Sequence, residues 1–212
     1  MDTSGLIRAL AADTRRPTAS LSSVWWGSAG LSAALAGMVF YATLELRPDI
    51  AAAAETARFL VKFAVTVTLA ASAFGLVRAL SRPAGNWREV MPYIAAAPAL
   101  LAVAVLSELV VLPPEAWSES MIGKNAVNCL ASIALIGIGP LAIFLMVLRH
   151  GAPTRPAIAG AAAGLLAGAI AATVYAAHCP DDSPLFVATW YTIAIAGLAL
   201  VGAAGARRFA RW

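Results

Sequence analysis

Long apolar runs separated by short polar clusters make up most of this chain. Six of them reach the roughly 20 residues that a helix needs to cross the hydrocarbon core of a bilayer. They are Val24–Leu44, Phe59–Leu80, Met91–Leu112, Ala126–Leu148, Ala157–Ala177 and Leu185–Ala206. None alternates apolar and polar residues as a transmembrane strand does. The connections are too short for a second core. The pattern predicts an all-α polytopic membrane protein: one compact bundle of six transmembrane helices over 24–206, a polar segment at 1–23 and a basic tail at 207–212. The first run is longer than the 7–15 or so apolar residues of a cleavable signal, and a polar stretch precedes it, so it reads as an uncleaved anchor.

Composition agrees with lipid as the solvent. The chain is 61% hydrophobic and 12% charged, with a mean hydropathy of +0.80. A soluble domain carries about 25% charged residues to wet its surface. Charge then orients the bundle. One side collects Arg8, Arg15, Arg16, Arg78, Arg82, Arg88, Arg149, Arg155, Arg207, Arg208 and Arg211; the other collects only Arg47, Arg58, Lys62 and Lys124. Basic residues near span ends stay cytoplasmic, so both termini are expected inside, at a bacterial inner membrane. The net charge of +4 is thus polarised across a bilayer, and no direct nucleic-acid contact is read from it. Trp25, Trp26, Trp87, Tyr93, Trp190 and Tyr191 flank span ends and read as interfacial belts.

Within the spans, Gly160, Gly164 and Gly168 form a small-xxx-small stripe that permits close helix contact. Pro92, Pro98 and Pro140 each remove a backbone donor and predict bends. Lys62 and Glu108 each lie about one turn inside the outer ends of spans 2 and 3. They either pair with each other or snorkel separately to the headgroups. Neither sits at mid-membrane, where a transporter's coupling charge is expected.

The densest chemistry is "HCPDDSP", His178–Pro184, between spans 5 and 6. The charge bias puts it outside, together with Cys129 in the first turn of span 4. Both cysteines of the chain therefore reach one face, the oxidising side of a bacterial inner membrane. Three readings stay open at this stage: a permanent disulfide, a redox- or metal-responsive pair, or two unrelated thiols. Cys and His are soft enough donors for copper or zinc, so His178 is a candidate auxiliary ligand, and no resident cofactor is required. Asp181, Asp182, Asn128, Glu108 and Lys62 are auxiliary members of the candidate site. Ser183 and Pro184 read as N-cap and first residue of span 6, with the two Asp as capping residues first and ligands second. No C-x-x-C and no G-x-S-x-G occurs, so a catalytic centre is not expected. A membrane thiol oxidoreductase or metal-handling protein using the same cluster is the alternative, and a structural subunit a third.

The N-terminal segment is too polar to enter the membrane. Ser4 is positioned to cap a short helix carrying Leu6, Ile7 and Leu10 on one side, with Arg8, Asp13, Arg15 and Arg16 elsewhere and Pro17 ending it. A helix this short needs a surface to fold on, either a partner or the headgroups.

The "LIRALAAD" helix before six spans, the cysteine opening span 4, and "HCPDDSPLFVATWY" leading into span 6 resemble the NrsF-type proteins, membrane anti-sigma factors. The resemblance covers essentially the whole chain. It implies a non-enzymatic regulator whose cytoplasmic face holds an extracytoplasmic-function sigma factor. It also implies periplasmic sensing of metal or oxidative stress through two cysteines, which correspond to Cys129 and Cys179. Leu6, Ile7, Leu10, Asp13, Arg15 and Arg16 are the candidate sigma-binding residues.

Overall fold

A computed structural model describes residues 2–13, 20–83 and 85–209. Helix α1 (Thr3–Asp13) precedes the bundle, followed by α2 (Leu21–Thr43), the short α3 (Ile50–Ala53) and α4 (Ala57–Leu80). The third span is split into α5 (Trp87–Ile94) and α6 (Ala96–Val111), and α7 (Trp117–Ile122) lies in the following connection. Next come α8 (Ala126–Leu148) and α9 (Pro156–Tyr175). The last span starts as α10 (Pro184–Phe186), passes through a π turn at Val187–Tyr191 and continues as α11 (Thr192–Phe209). No strand occurs among the described residues, and six helical stretches are long and apolar enough to cross a membrane.

Capping explains most of the small shifts from the expected boundaries. Ser20 accepts from the Ser23 N–H and Thr56 from the Phe59 N–H, so α2 and α4 begin a few residues before their apolar runs. Ser183 caps the last span with Pro184 behind it, as expected. At the N-terminus the cap is Asp2, whose carboxylate accepts from the Ser4 N–H and hydroxyl, not Ser4 itself. Residues 14–19, including Arg15, Arg16 and Pro17, lie outside the described residues.

Helix α9 is the axis of the bundle, with α2, α4, α8 and α11 packed around it. Its glycine stripe lets backbones touch. A Cβ at Gly160 would fall 2.2 Å from the Gly202 carbonyl oxygen, and one at Gly164 would fall 2.3 Å from that of Leu198. The third span sits at the periphery against α4. It leaves an apolar cavity of about 250 Å³, lined by residues such as Leu69, Leu101 and Ile195. That span breaks at Ala95, where Pro98 offers no N–H to the Ile94 carbonyl and its ring crowds that oxygen. Pro92 and Pro140 are accommodated inside continuous helices.

Two belt residues turn out to be core. Trp25 is buried, stacks on Phe144 and donates from Nε1 to Ser81 Oγ at 3.1 Å. Tyr191 is also buried. Trp25 finds inside the bundle the partner that headgroups would otherwise supply, and Tyr191 packs its ring against Tyr175 and Phe186.

Candidate functional site

The connections between spans 1 and 2 and between spans 5 and 6 run side by side at the end of the bundle opposite the start of α2. The Arg47 N–H donates to the Ala177 carbonyl at 3.2 Å, and side chains complete the join. Lys62 uses all three of its donors: Cys179 carbonyl at 2.8 Å, Asp181 carbonyl at 3.4 Å and Asp182 Oδ1 at 2.5 Å. Arg47 grips Asp49 with Nε and Nη2, both at 2.8 Å. Its Nη1 reaches Asp182 Oδ2 at 2.7 Å and the Cys179 carbonyl at 3.4 Å. Asp182 is therefore shared by two buried cations, and the Cys179 carbonyl receives a bond from each. The hydrogen bonds of Arg47 to Asp49 and Asp182 raise its guanidinium further above its already high range, and the bond to Asp49 holds that carboxyl below the usual carboxylate range.

Asp181 reaches the other way. Its Oδ2 accepts from the backbone N–H of Lys124 and Asn125 and from Asn125 Nδ2, at 3.2, 3.0 and 3.0 Å. It thus fastens the start of α8, one turn before Cys129, to the residue two places after Cys179. The result is that Cys129 and Cys179 are both unbridged, both 0% exposed and within electrostatic range of one another. Burial pushes the Cys179 thiol up, so it rests neutral. Tyr175, Phe186 and Tyr191 belong to the same buried cluster. The π turn that ends at Tyr191 lies on its floor, and π turns recur where a helix must offer a side chain to a site.

Several expected members stand elsewhere. Lys62 and Glu108 do not pair, nor do they snorkel: they are 1% and 5% exposed. The loop residues outcompete a distant span charge for Lys62. Glu108 instead accepts from Ser183 Oγ at 2.8 Å and the Leu185 N–H at 3.1 Å, and lies 3.2 Å from Arg58. It pins the third span to the start of the sixth. Asp181 and Asp182 are not caps of span 6, because Ser183 and Glu108 both accept from its first N–H, that of Leu185; they brace the start of span 4 and the two cations Lys62 and Arg47. His178 bonds through Nδ1 to the Glu45 carbonyl at 2.6 Å. Among the described residues no three of His, Cys, Asp and Glu group as metal ligands, so His178 does not join the thiols as a third donor here. Asn128 is exposed beside the buried Cys129, because adjacent residues on a helix point about 100° apart. On α1, Leu6 and Ile7 are 47% and 62% exposed; Leu10 and Asp13 lie on the same helix.

Sequence reasoning missed Arg47, Tyr175 and Tyr191. Arg47 was legible as an odd basic residue on the acidic side, followed by Pro48 and Asp49. The two tyrosines carried only a weak signal, polar tips at the ends of apolar runs next to the cysteine loop.

Three comparisons bear on this geometry. The family described as "NrsF: Negative regulator of sigma F" matches residues 10–212. The anti-sigma-F factor NrsF of Caulobacter vibrioides (strain NA1000 / CB15N) is 35% identical over 218 residues, covering all of both chains. The probable anti-sigma-F factor NrsF of Azospira oryzae is 34% identical over 193 residues, covering 90% of this chain and 87% of its own. No solved structure matches the chain.

Proposed function

The chain belongs to the NrsF family of negative regulators of sigma F, and from that premise we propose how it works. It holds an extracytoplasmic-function sigma factor inactive on the cytoplasmic face of a bacterial inner membrane. It releases that factor when Cys129 and Cys179, on the periplasmic face, meet metal or oxidant. The role is regulatory, not enzymatic. The observation that supports the sensing half is that both cysteines are buried in one cluster, Cys129 in the first turn of span 4 and Cys179 in the loop before span 6, with Asp181 joining the two segments beside the Lys62–Asp182–Arg47 network. Two thiolates suit a soft cation such as copper, zinc or another heavy metal, and they also suit oxidation to a disulfide.

Coupling runs through α8, which carries Cys129, and the helices that flank the Cys179 loop. A change at Cys129 and Cys179 shifts α8 against α9 and α11, which touch along a glycine seam, and those helices carry the shift to the other face. Turning a 1:99 equilibrium into 99:1 takes about 5.5 kcal/mol. Thiolate–metal coordination, at about 10–16 kcal/mol for structural zinc, covers that. On the cytoplasmic side the exposed apolar residues of α1, Leu6 and Ile7, supply the first contact with the sigma factor, supported by Leu10, Asp13, Arg15 and Arg16.

The test is co-purification of the sigma factor from detergent-solubilised membranes. The full chain retains it, loses it on exposure to cadmium or diamide, and fails to capture it when residues 1–23 are deleted. The Cys129→Ser, Cys179→Ser double variant retains it under both stresses. Release from that variant as from the unaltered chain would sink the sensor role; capture by the truncated chain would move the docking surface elsewhere.

A further inference from the structure

Two phenol hydroxyls in the thiol cluster, those of Tyr175 and Tyr191, have no hydrogen-bond partner. The residues are 0% and 1% exposed, and their ring centroids lie 6.0 Å apart. Both hydroxyls lie near the Cys179 thiol and interact with it weakly, short of the geometry of a full hydrogen bond. A buried hydroxyl without a partner is a standing cost that phenylalanine, nearly the same size, would not carry. A neutral thiol does not relieve that cost, because it is a weak acceptor. A thiolate does, because bonds to ionised groups are about twice as strong.

We propose that Tyr175 and Tyr191 are positioning residues of the sensor, whose hydroxyls donate to the two sulfurs once these are thiolates holding a soft cation. This rests on the cysteine-sensor reading above. The balance is simple: two S–H bonds break, two sulfur–metal bonds form, and two protons leave to water. With a monovalent ion such as Ag⁺ the product carries one negative charge in a buried place. Lys62, already held at the Cys179 carbonyl, is the cation that faces it, and the two phenols are unused buried side-chain donors in the cluster. A disulfide carries no charge and accepts hydrogen bonds poorly. The phenols therefore favour the metal-bound pair over the oxidised pair.

The experiment uses the full-length chain in detergent, Ag⁺ as the probe, and a competing thiol to set the free ion. Tyr175→Phe and Tyr191→Phe each weaken Ag⁺ binding about tenfold, and the double variant about a hundredfold. Thermal stability without the ion is unchanged or higher, because each variant removes an unpartnered hydroxyl. The thiol–disulfide midpoint potential stays where it is. Should the double variant not fold, the two single variants decide the matter by the same measurements. Equal Ag⁺ affinity in folded variants overturns the proposal, as does a loss of ion-free stability that accounts for the whole loss of affinity. Failure of the unaltered chain to bind Ag⁺, or unchanged binding after Cys129→Ser and Cys179→Ser, overturns the sensor reading and this inference with it.

Discussion

Asp182 stands between Lys62 and Arg47, so its removal leaves one fully buried cation without any carboxylate. Asp182→Asn is expected to cost about 3 kcal/mol, the scale of breaking a buried ion pair from one side. Adding Lys62→Met to that variant recovers part of the loss, because the stranded charge goes too. Chemical unfolding in detergent measures both, and additive effects would refute the coupling. Asp49, held by the same Arg47, titrates below the usual carboxylate range. A carboxylate depressed in this way adds stability above its unfolded value and loses it as the pH falls through the lower folded value. An Asp49→Asn comparison should therefore show a difference that is constant from pH 6 to 8 and shrinks only under acid conditions. At this scale the polar island was legible but its wiring was not. Lys62 and Glu108 look like partners on a helical map because each lies a turn from the same end. Asp182 reaches Lys62, and Arg47 reaches Asp182, from loops, and a loop's path leaves no periodic trace in the residues.

Between elements, glycine does what apolar side chains do in a soluble core. Apolar side chains gain nothing by leaving lipid, so helices in a bilayer associate through close packing. Helices α9 and α11 achieve it by touching backbones at Gly160, Gly164 and Gly202. Gly164→Leu puts carbon where the Leu198 and Ala199 backbone already is, which no side-chain rotation relieves. It should cost at least 2–3 kcal/mol and lower the yield of folded protein, whereas Gly197→Leu, with open space around it, should leave thermal stability nearly unchanged. Gly123 is another place where only glycine fits. It ends α7 with a φ of +61°, and a Cβ there would strike the Phe186 ring at 2.4 Å. The helix boundaries and the glycine stripe were readable from the residues. The break at Ala95 was foreshadowed by Pro98, but the π turn ending at Tyr191 was not, since π turns arise from packing more than from composition.

For the whole molecule, an 11-to-4 division of basic residues sets the expected orientation. Alkaline phosphatase fused after Lys124 or within 180–182 should be active, and fused after residue 212 inactive, with a reporter that works only in the cytoplasm giving the reverse. The opposite pattern would turn the thiol pair toward the cytoplasm and remove the periplasmic sensing role.

Length of apolar runs, sparse charge and the sidedness of arginine are properties of single segments in a known solvent, so the sequence alone determined six spans, their ends and the likeness to a family of regulators. Which charges pair and which tyrosines turn inward depend on residues from four separate stretches converging. Only the tertiary structure decided those. Under lipid a buried charge takes the nearest partner the packed helices bring to it, wherever that partner lies along the chain.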